Sequence, residues 1–139
     1  MELFDVMNQR IGFKQCQAAY QLEWSLMRLG DRLAAMGHPM DGECPLWVVC
    51  NADVNLPYGA VHIFDPVLQE KAVKLVGNSF YILPSSVHEV LLLPTGAVSL
   101  EPHELRDYVI AINTMMVSDL DRLSDHVYEY RNGTIKEVA

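Results

Sequence analysis

The sequence predicts an α+β fold: a mostly antiparallel sheet of about five to six strands carrying three helices. Three observations lead there. Short apolar runs bounded by Gly, Pro, Asn and Asp come in pairs along the chain, and paired strands favour antiparallel joins over β-α-β crossovers. Amphipathic or capped stretches separate those pairs. Near the end of the chain, Asn132-Gly133 lies between two strand-like runs, a strong hairpin signal because both turn residues tolerate positive φ. The expected order is α-β-β-α-β-β-α-β-β.

Leu22, Leu26, Leu29, Leu33 and Met36 recur at spacings of four and three, which places them on one face of a helix. Leu3, Phe4, Met7 and Ile11 continue a similar stripe upstream, and Gly12 interrupts it, so one long helix and two shorter ones are both open. Gly37 and Pro39 end this helical segment of residues 1–37. After a connector rich in Gly, Pro and Asp, the apolar run of residues 46–50 predicts a central strand, and residues 60–64 a second short one. Asp65 before Pro66 starts a helix, since Asp accepts orphan amide bonds and Pro has no amide to lose. Leu68, Ala72 and Leu75 form its apolar face, with Gly77 placed to end it. Residues 80–83 and 87–93 then read as strands joined through Pro84-Ser85-Ser86. Pro102, with Glu101 and Glu104, opens a third helix whose inner face carries Leu105, Val109, Ile112 and Met116. All 139 residues are expected to form a single domain, with residues 45–139 as its α+β body.

Composition narrows the function classes. Ten basic against 18 acidic residues give a formal net charge of −8, which repels nucleic-acid phosphate and suits a basic protein partner, the groove of a nucleic-acid enzyme included. Cys16, Cys44 and Cys50 form no CxxC pair of the zinc or redox kind. Met1 is followed by acidic Glu2 and Asp5, and no stretch has the length of a membrane span, so a cytoplasmic protein with no membrane partner is expected. Neither a phosphate-binding GxxxxGK[ST] loop nor a GxGxxG turn is present. No cofactor and no metal are expected.

The block Ser85, Ser86, His88 and Glu89 gathers hydroxyls, an imidazole and a carboxylate within five positions. In a strand, His88 and Glu89 point to opposite faces, and the serines equally serve to satisfy turn amides. His88-Glu89 begins like the zinc-protease pattern HExxH, but Leu92 stands where the second histidine belongs. Cys50 becomes a nucleophile only if His62 or His88 approaches it. Asp125-His126, with Asp119 and Asp121 nearby, is a second acid-imidazole pair and matches no metal-ligand scheme.

The segments Pro45-Leu46-Trp47-Val48, Tyr58-Gly59-Ala60, Tyr81 to Val90 and Ser124-Asp125-His126-Val127-Tyr128 resemble the C-terminal part of an uncharacterised family of bacterial proteins that share a domain of unknown function. The resemblance spans residues 45–138, roughly two thirds of the chain, and implies longer relatives with extra sequence upstream. It implies no activity and no substrate.

The leading expectation is a non-enzymatic protein-interaction or regulatory module, with Leu22, Leu26, Leu29, Leu33 and Met36 as interface residues and a protein partner or a second copy as the occupant. The competing class is a small hydrolase or transferase using His88 with Ser85, Ser86 or Cys50, Asp125 and His126 being further candidates. A third is an acidic inhibitor of a nucleic-acid enzyme.

Overall fold

A computed structural model describes residues 2–39, 42 and 44–139, apart from the side chains of Ile112, Met115 and Met116. The elements are α1 (Leu3–Ile11), α2 (Phe13–Tyr20), β1 (Trp24–Arg28), α3 (Leu29–Ala35), β2 (Trp47–Asn51), a 3-10 helix (Gly59–Phe64), α4 (Pro66–Leu75), β3 (Ser79–Leu83), β4 (Glu89–Pro94), α5 (Pro102–Met116), β5 (Tyr128–Arg131) and β6 (Thr134–Glu137). All six strands join one sheet in the order β1-β2-β4-β3-β5-β6, and every neighbouring pair is antiparallel. The α+β class and the antiparallel sheet stand as expected; the described helices number six, not three.

The sheet register sorts the side chains onto two faces. Val49 lies opposite Val90, Leu92 opposite Ile82, and Ile82 and Phe80 opposite Tyr128 and Tyr130. This face packs under Leu3, Met7 and Ile11 of α1, the buried residues of the 3-10 helix, and Leu68 and Ala72 of α4. Tyr81, Leu83 and Leu93 point the other way and are covered by Leu105 and Val109 of α5. Phe80 and Tyr130 stack with ring centroids 4.8 Å apart, a cross-strand aromatic pair that helps fix the β3–β5 register.

Locally signalled elements formed as expected. Asp65 accepts a hydrogen bond from the Val67 amide at 2.8 Å and caps α4, which has Pro66 in its first turn. Glu101 and Glu104 complete a capping box at the start of α5, and the β5–β6 hairpin turns at Asn132 and Gly133, both with positive φ. Gly12, at φ 103°, separates α1 from α2, so the upstream stripe is two helices.

Three expectations need correction. The stripe from Leu22 to Met36 is not one helix: Leu26 lies in β1, opposite Val49 of β2, and only Leu29 and Leu33 lie in α3. Pairing with the apolar edge of β2 overrides the 3.6-residue periodicity. Residues 60–64 form a tight, buried 3-10 helix instead of a strand. Leu75 is exposed, and Val76 takes its place against the core. On α5, the expected inner positions Ile112 and Met116 lie outside the described side chains, while Leu105 and Val109 are buried.

Candidate functional site

The 84–88 connection between β3 and β4 does not pair with itself. It lies along the segment that follows α5: the Val87 amide donates to the Asp121 carbonyl at 2.8 Å, Leu123 to Ser85 at 3.1 Å and Ser124 to Pro84 at 3.0 Å. Ser85 is buried, and the Ser86 hydroxyl accepts from the His88 amide at 3.1 Å, a local turn bond. The Ser86 hydroxyl is thereby spent on the backbone, and Ser85 joins the contact through its main-chain carbonyl.

His88 is held at both ring nitrogens. Nδ1 accepts the Tyr58 amide proton at 3.1 Å, so in the neutral ring the proton sits on Nε2, which donates to Asp121 Oδ1 at 3.0 Å. Tyr58, in the left-handed region at φ 67°, stacks on the imidazole with centroids 5.7 Å apart. Among the described residues, neither ring nitrogen bonds to Ser85, Ser86, Cys50 or Asp125. A general base needs a free lone pair aimed at a proton, and Nδ1 has already spent its own. Glu89 leaves on the opposite face and pairs with Arg32 of α3. Cys50 is buried, and desolvation raises its thiol pKa, with the Arg32 charge pulling it down less and Glu89 pushing it up; a thiol so placed is a poor nucleophile.

Asp125 Oδ1 accepts from the buried Asn113 amide at 2.6 Å, while His126 Nδ1 faces the Ala139 carbonyl at 3.0 Å and Glu137 at 3.7 Å. The pair thus diverges, Asp125 toward α5 and His126 toward the end of the chain. No three His, Cys, Asp or Glu side chains group as metal ligands among the described residues.

A second histidine that the sequence mentioned only as a partner for Cys50 is built into the core. His62 is fully buried, and its Nε2 donates to Asn51 Oδ1 at 2.6 Å. Asn51 in turn donates to the Leu56 and Pro57 carbonyls, tying the 52–58 loop to β2. Among the described residues, His62 Nδ1 has no hydrogen-bond partner. Burial pulls this imidazole below its ordinary pKa range, and the Asp65 charge offsets part of the effect.

A separate concavity lies between α1, α2 and the 3-10 helix: an apolar cleft of about 820 Å³ walled by Phe4, Met7, Phe13, Tyr20, Val61 and Phe64. Phe4 stands edge-on to Phe64, centroids 5.5 Å apart, and Phe13 is 61 % exposed. Burial and the Asp65 charge both raise the pKa of the Tyr20 hydroxyl on this wall. The sequence singled out Phe4 only as part of a stripe and gave no signal for Phe13 or Tyr20. The expected interface residues Leu22, Leu26, Leu29, Leu33 and Met36 do not line the cleft; all but exposed Met36 are partly buried.

The antiparallel sheet with helices on both faces, and a block of polar residues used as struts, define a domain class by architecture and not by chemistry. The chain belongs to the family described as a family of unknown function (DUF5688), whose model matches residues 2–132. The match takes in α1, α2 and β1 as well as the body to which the sequence resemblance pointed as far as residue 132, short of β6. Comparison with curated proteins and with solved structures finds no match. No helix among the described residues is long and apolar enough to cross a membrane.

Proposed function

We propose that the protein is a non-enzymatic binding module that seats a basic amphipathic helix of a partner protein in the cleft between α1, α2 and the 3-10 helix. The observation that carries this reading is the cleft itself, about 820 Å³ in volume with exposed Phe4 and Phe13 on its walls, because large apolar side chains left in water mark interaction sites. The choice of a basic occupant rests on the formal net charge of −8 and on Asp65, whose charge reaches Tyr20 on the cleft wall. Such a field speeds encounter with cations and makes binding salt-sensitive. The hydrolase reading loses its support with His88, whose ring is occupied on both sides.

The test is fluorescence anisotropy with two synthetic helical peptides that share one leucine face, one carrying lysines and the other glutamates. The lysine peptide is expected to bind saturably, at least roughly tenfold tighter than the glutamate peptide, and more weakly as salt rises. Phe13→Asp, on an exposed position, is expected to reduce that binding by about tenfold or more, since covering a Phe ring contributes roughly 1.5–3 kcal/mol. Equal binding by wild type and Phe13→Asp, or no saturable binding of the lysine peptide, refutes the proposal.

A further inference from the structure

The sheet ends on β1, and its register shows which backbone groups of that strand are unpaired. The Ala52 amide donates to the Glu23 carbonyl at 2.8 Å and the Leu29 amide to the Leu46 carbonyl at 2.9 Å, so Glu23, Ser25, Met27 and Leu29 are the residues that bond inward to β2. Trp24, Leu26 and Arg28 therefore turn their amides away from the sheet. The Arg28 carbonyl is taken up by the first turn of α3, which this residue caps. Among the described residues, no hydrogen bond reaches the other outward groups: the amides of Trp24, Leu26 and Arg28 and the carbonyls of Trp24 and Leu26.

The side chains give this edge a charge pattern. Trp24, Leu26 and Arg28 share one face of β1. Arg28 lies over the Trp47 ring at 5.3 Å, and Lys71 of α4 lies over the Trp24 ring at 5.6 Å. Neither cation has a carboxylate partner among the described residues. Glu70, beside Lys71 in the chain, pairs with Lys74 at 3.6 Å, and Glu89 pairs with Arg32. Glu23 alternates onto the opposite face, and Asp31 lies in α3, beyond the strand. One face of the edge thus has a cation at each end and Leu26 between them. A second copy paired antiparallel about Leu26 would set its own Lys71 beside Arg28, and a basic strand is repelled in the same way, whereas a strand with a carboxylate at each end is attracted. The opposite edge of the sheet, β6, carries Lys136 and Glu137, charges of both signs that select neither kind of strand.

We infer that the outer edge of β1 receives an extended acidic segment of a partner protein as a seventh strand, with the pattern carboxylate-x-apolar-x-carboxylate. The outward backbone groups hold the segment, its carboxylates meet Arg28 and Lys71, and its apolar residue meets Leu26. The inference is independent of the apolar cleft, whose walls hold no residue of β1.

The test titrates a labelled, end-capped Glu-Thr-Val-Thr-Glu peptide into the full chain, with Lys-Thr-Val-Thr-Lys as the reference, and follows anisotropy together with amide hydrogen exchange. The acidic peptide is expected to bind saturably, roughly tenfold or more tighter than the basic one, and to slow exchange at the Trp24, Leu26 and Arg28 amides. Arg28→Pro removes the cation and one outward amide while fitting the φ of −64° already present there. It is expected to weaken binding by about tenfold or more, and Lys136→Gln, on exposed β6, to leave binding unchanged. No saturable binding of the acidic peptide up to about 1 mM, slowed exchange confined to other amides, or undiminished binding by Arg28→Pro overturns the inference. Slowing of the same three amides that grows with protein concentration in the absence of peptide assigns the edge to a second copy and overturns it as well. The wild-type exchange pattern decides the matter even if Arg28→Pro fails to fold.

Discussion

Gly59→Ala tests the junction on which the sheet, the 3-10 helix and His88 all depend. A Cβ at this position meets the Asn51 amide nitrogen at 2.4 Å, the His88 carbonyl oxygen at 2.7 Å and the Cys50 carbonyl carbon at 2.9 Å. All three are backbone atoms of β2 and of the segment entering β4, so no side-chain rotation relieves the clash, and the 3-10 helix has to retreat from both strands. That retreat stretches the Ala60 amide to Val87 carbonyl bond, 3.3 Å long, and the Tyr58 amide to His88 Nδ1 bond at 3.1 Å. Overpacking of this kind costs about 1–3 kcal/mol, and two weakened hydrogen bonds add about 0.5–1.5 kcal/mol each. The expected loss is about 3–5 kcal/mol, a large share of the roughly 5–15 kcal/mol that holds a domain folded. Urea unfolding followed by far-UV circular dichroism measures it, with Gly96→Ala as the control, since an added Cβ there meets nothing within 4 Å. Wild-type and Gly59→Ala stabilities agreeing within about 0.5 kcal/mol would refute the reasoning, because they would require the 3-10 helix not to be wedged between β2 and β4.

His62 makes stability depend on pH in a defined direction. Burial lowers its pKa in the fold, so the unfolded chain takes up the proton first; stability is fully present above about pH 6.5 and declines by up to about 1.4 kcal/mol per pH unit below it. Urea midpoints at neutral and mildly acid pH should therefore converge more closely in His62→Gln than in wild type, and an identical acid loss in both would assign it to other groups. Asp65→Ala removes the cap on the Val67 amide and should cost about 1 kcal/mol, recovered in large part by Asp65→Ser; calorimetry reads both. His88→Ala should destabilise by about 1–2 kcal/mol by stranding the Tyr58 amide. His88→Asn, whose carbonyl can stand in for Nδ1, should recover more of that loss than His88→Gln, and the reverse ranking would mean that the Asp121 contact dominates.

What was legible in the sequence is what neighbouring residues decide. The Asp65-Pro66 start of α4, the acidic capping box of α5 and the Asn132-Gly133 turn all satisfy their own backbone within a few positions. The stripe from Leu22 to Met36 misled because its spacing fits a helix, while its first half is recruited by β2, more than twenty residues away in register (Trp24 opposite Asn51). Residues 60–64 misled because an apolar run bounded by turn residues looks alike whether it is laid flat in a sheet or wound tightly beneath one. Leu75 and Val76 are adjacent, and only the crossing of α4 over the sheet decides which of the two turns inward. In each case the deciding partner lies far off along the chain.

The candidate site shows the same limit in chemical form. Ser85, Ser86, His88 and Glu89 stood out because their side chains carry reactive groups, yet the fold buries Ser85 and gives Ser86 to a turn amide, His88 to the Tyr58 amide and a loop carboxylate 33 residues on, and Glu89 to an arginine 57 residues back. Reactivity depends on the lone pairs and protons still unclaimed once the chain has folded. His88 has neither of its nitrogens to spare, whereas Arg106, which no motif recommended, has a buried Nε without a hydrogen-bond partner among the described residues. Residue type alone cannot reveal that difference, because it is a property of which hydrogen bonds the rest of the molecule has left unmade.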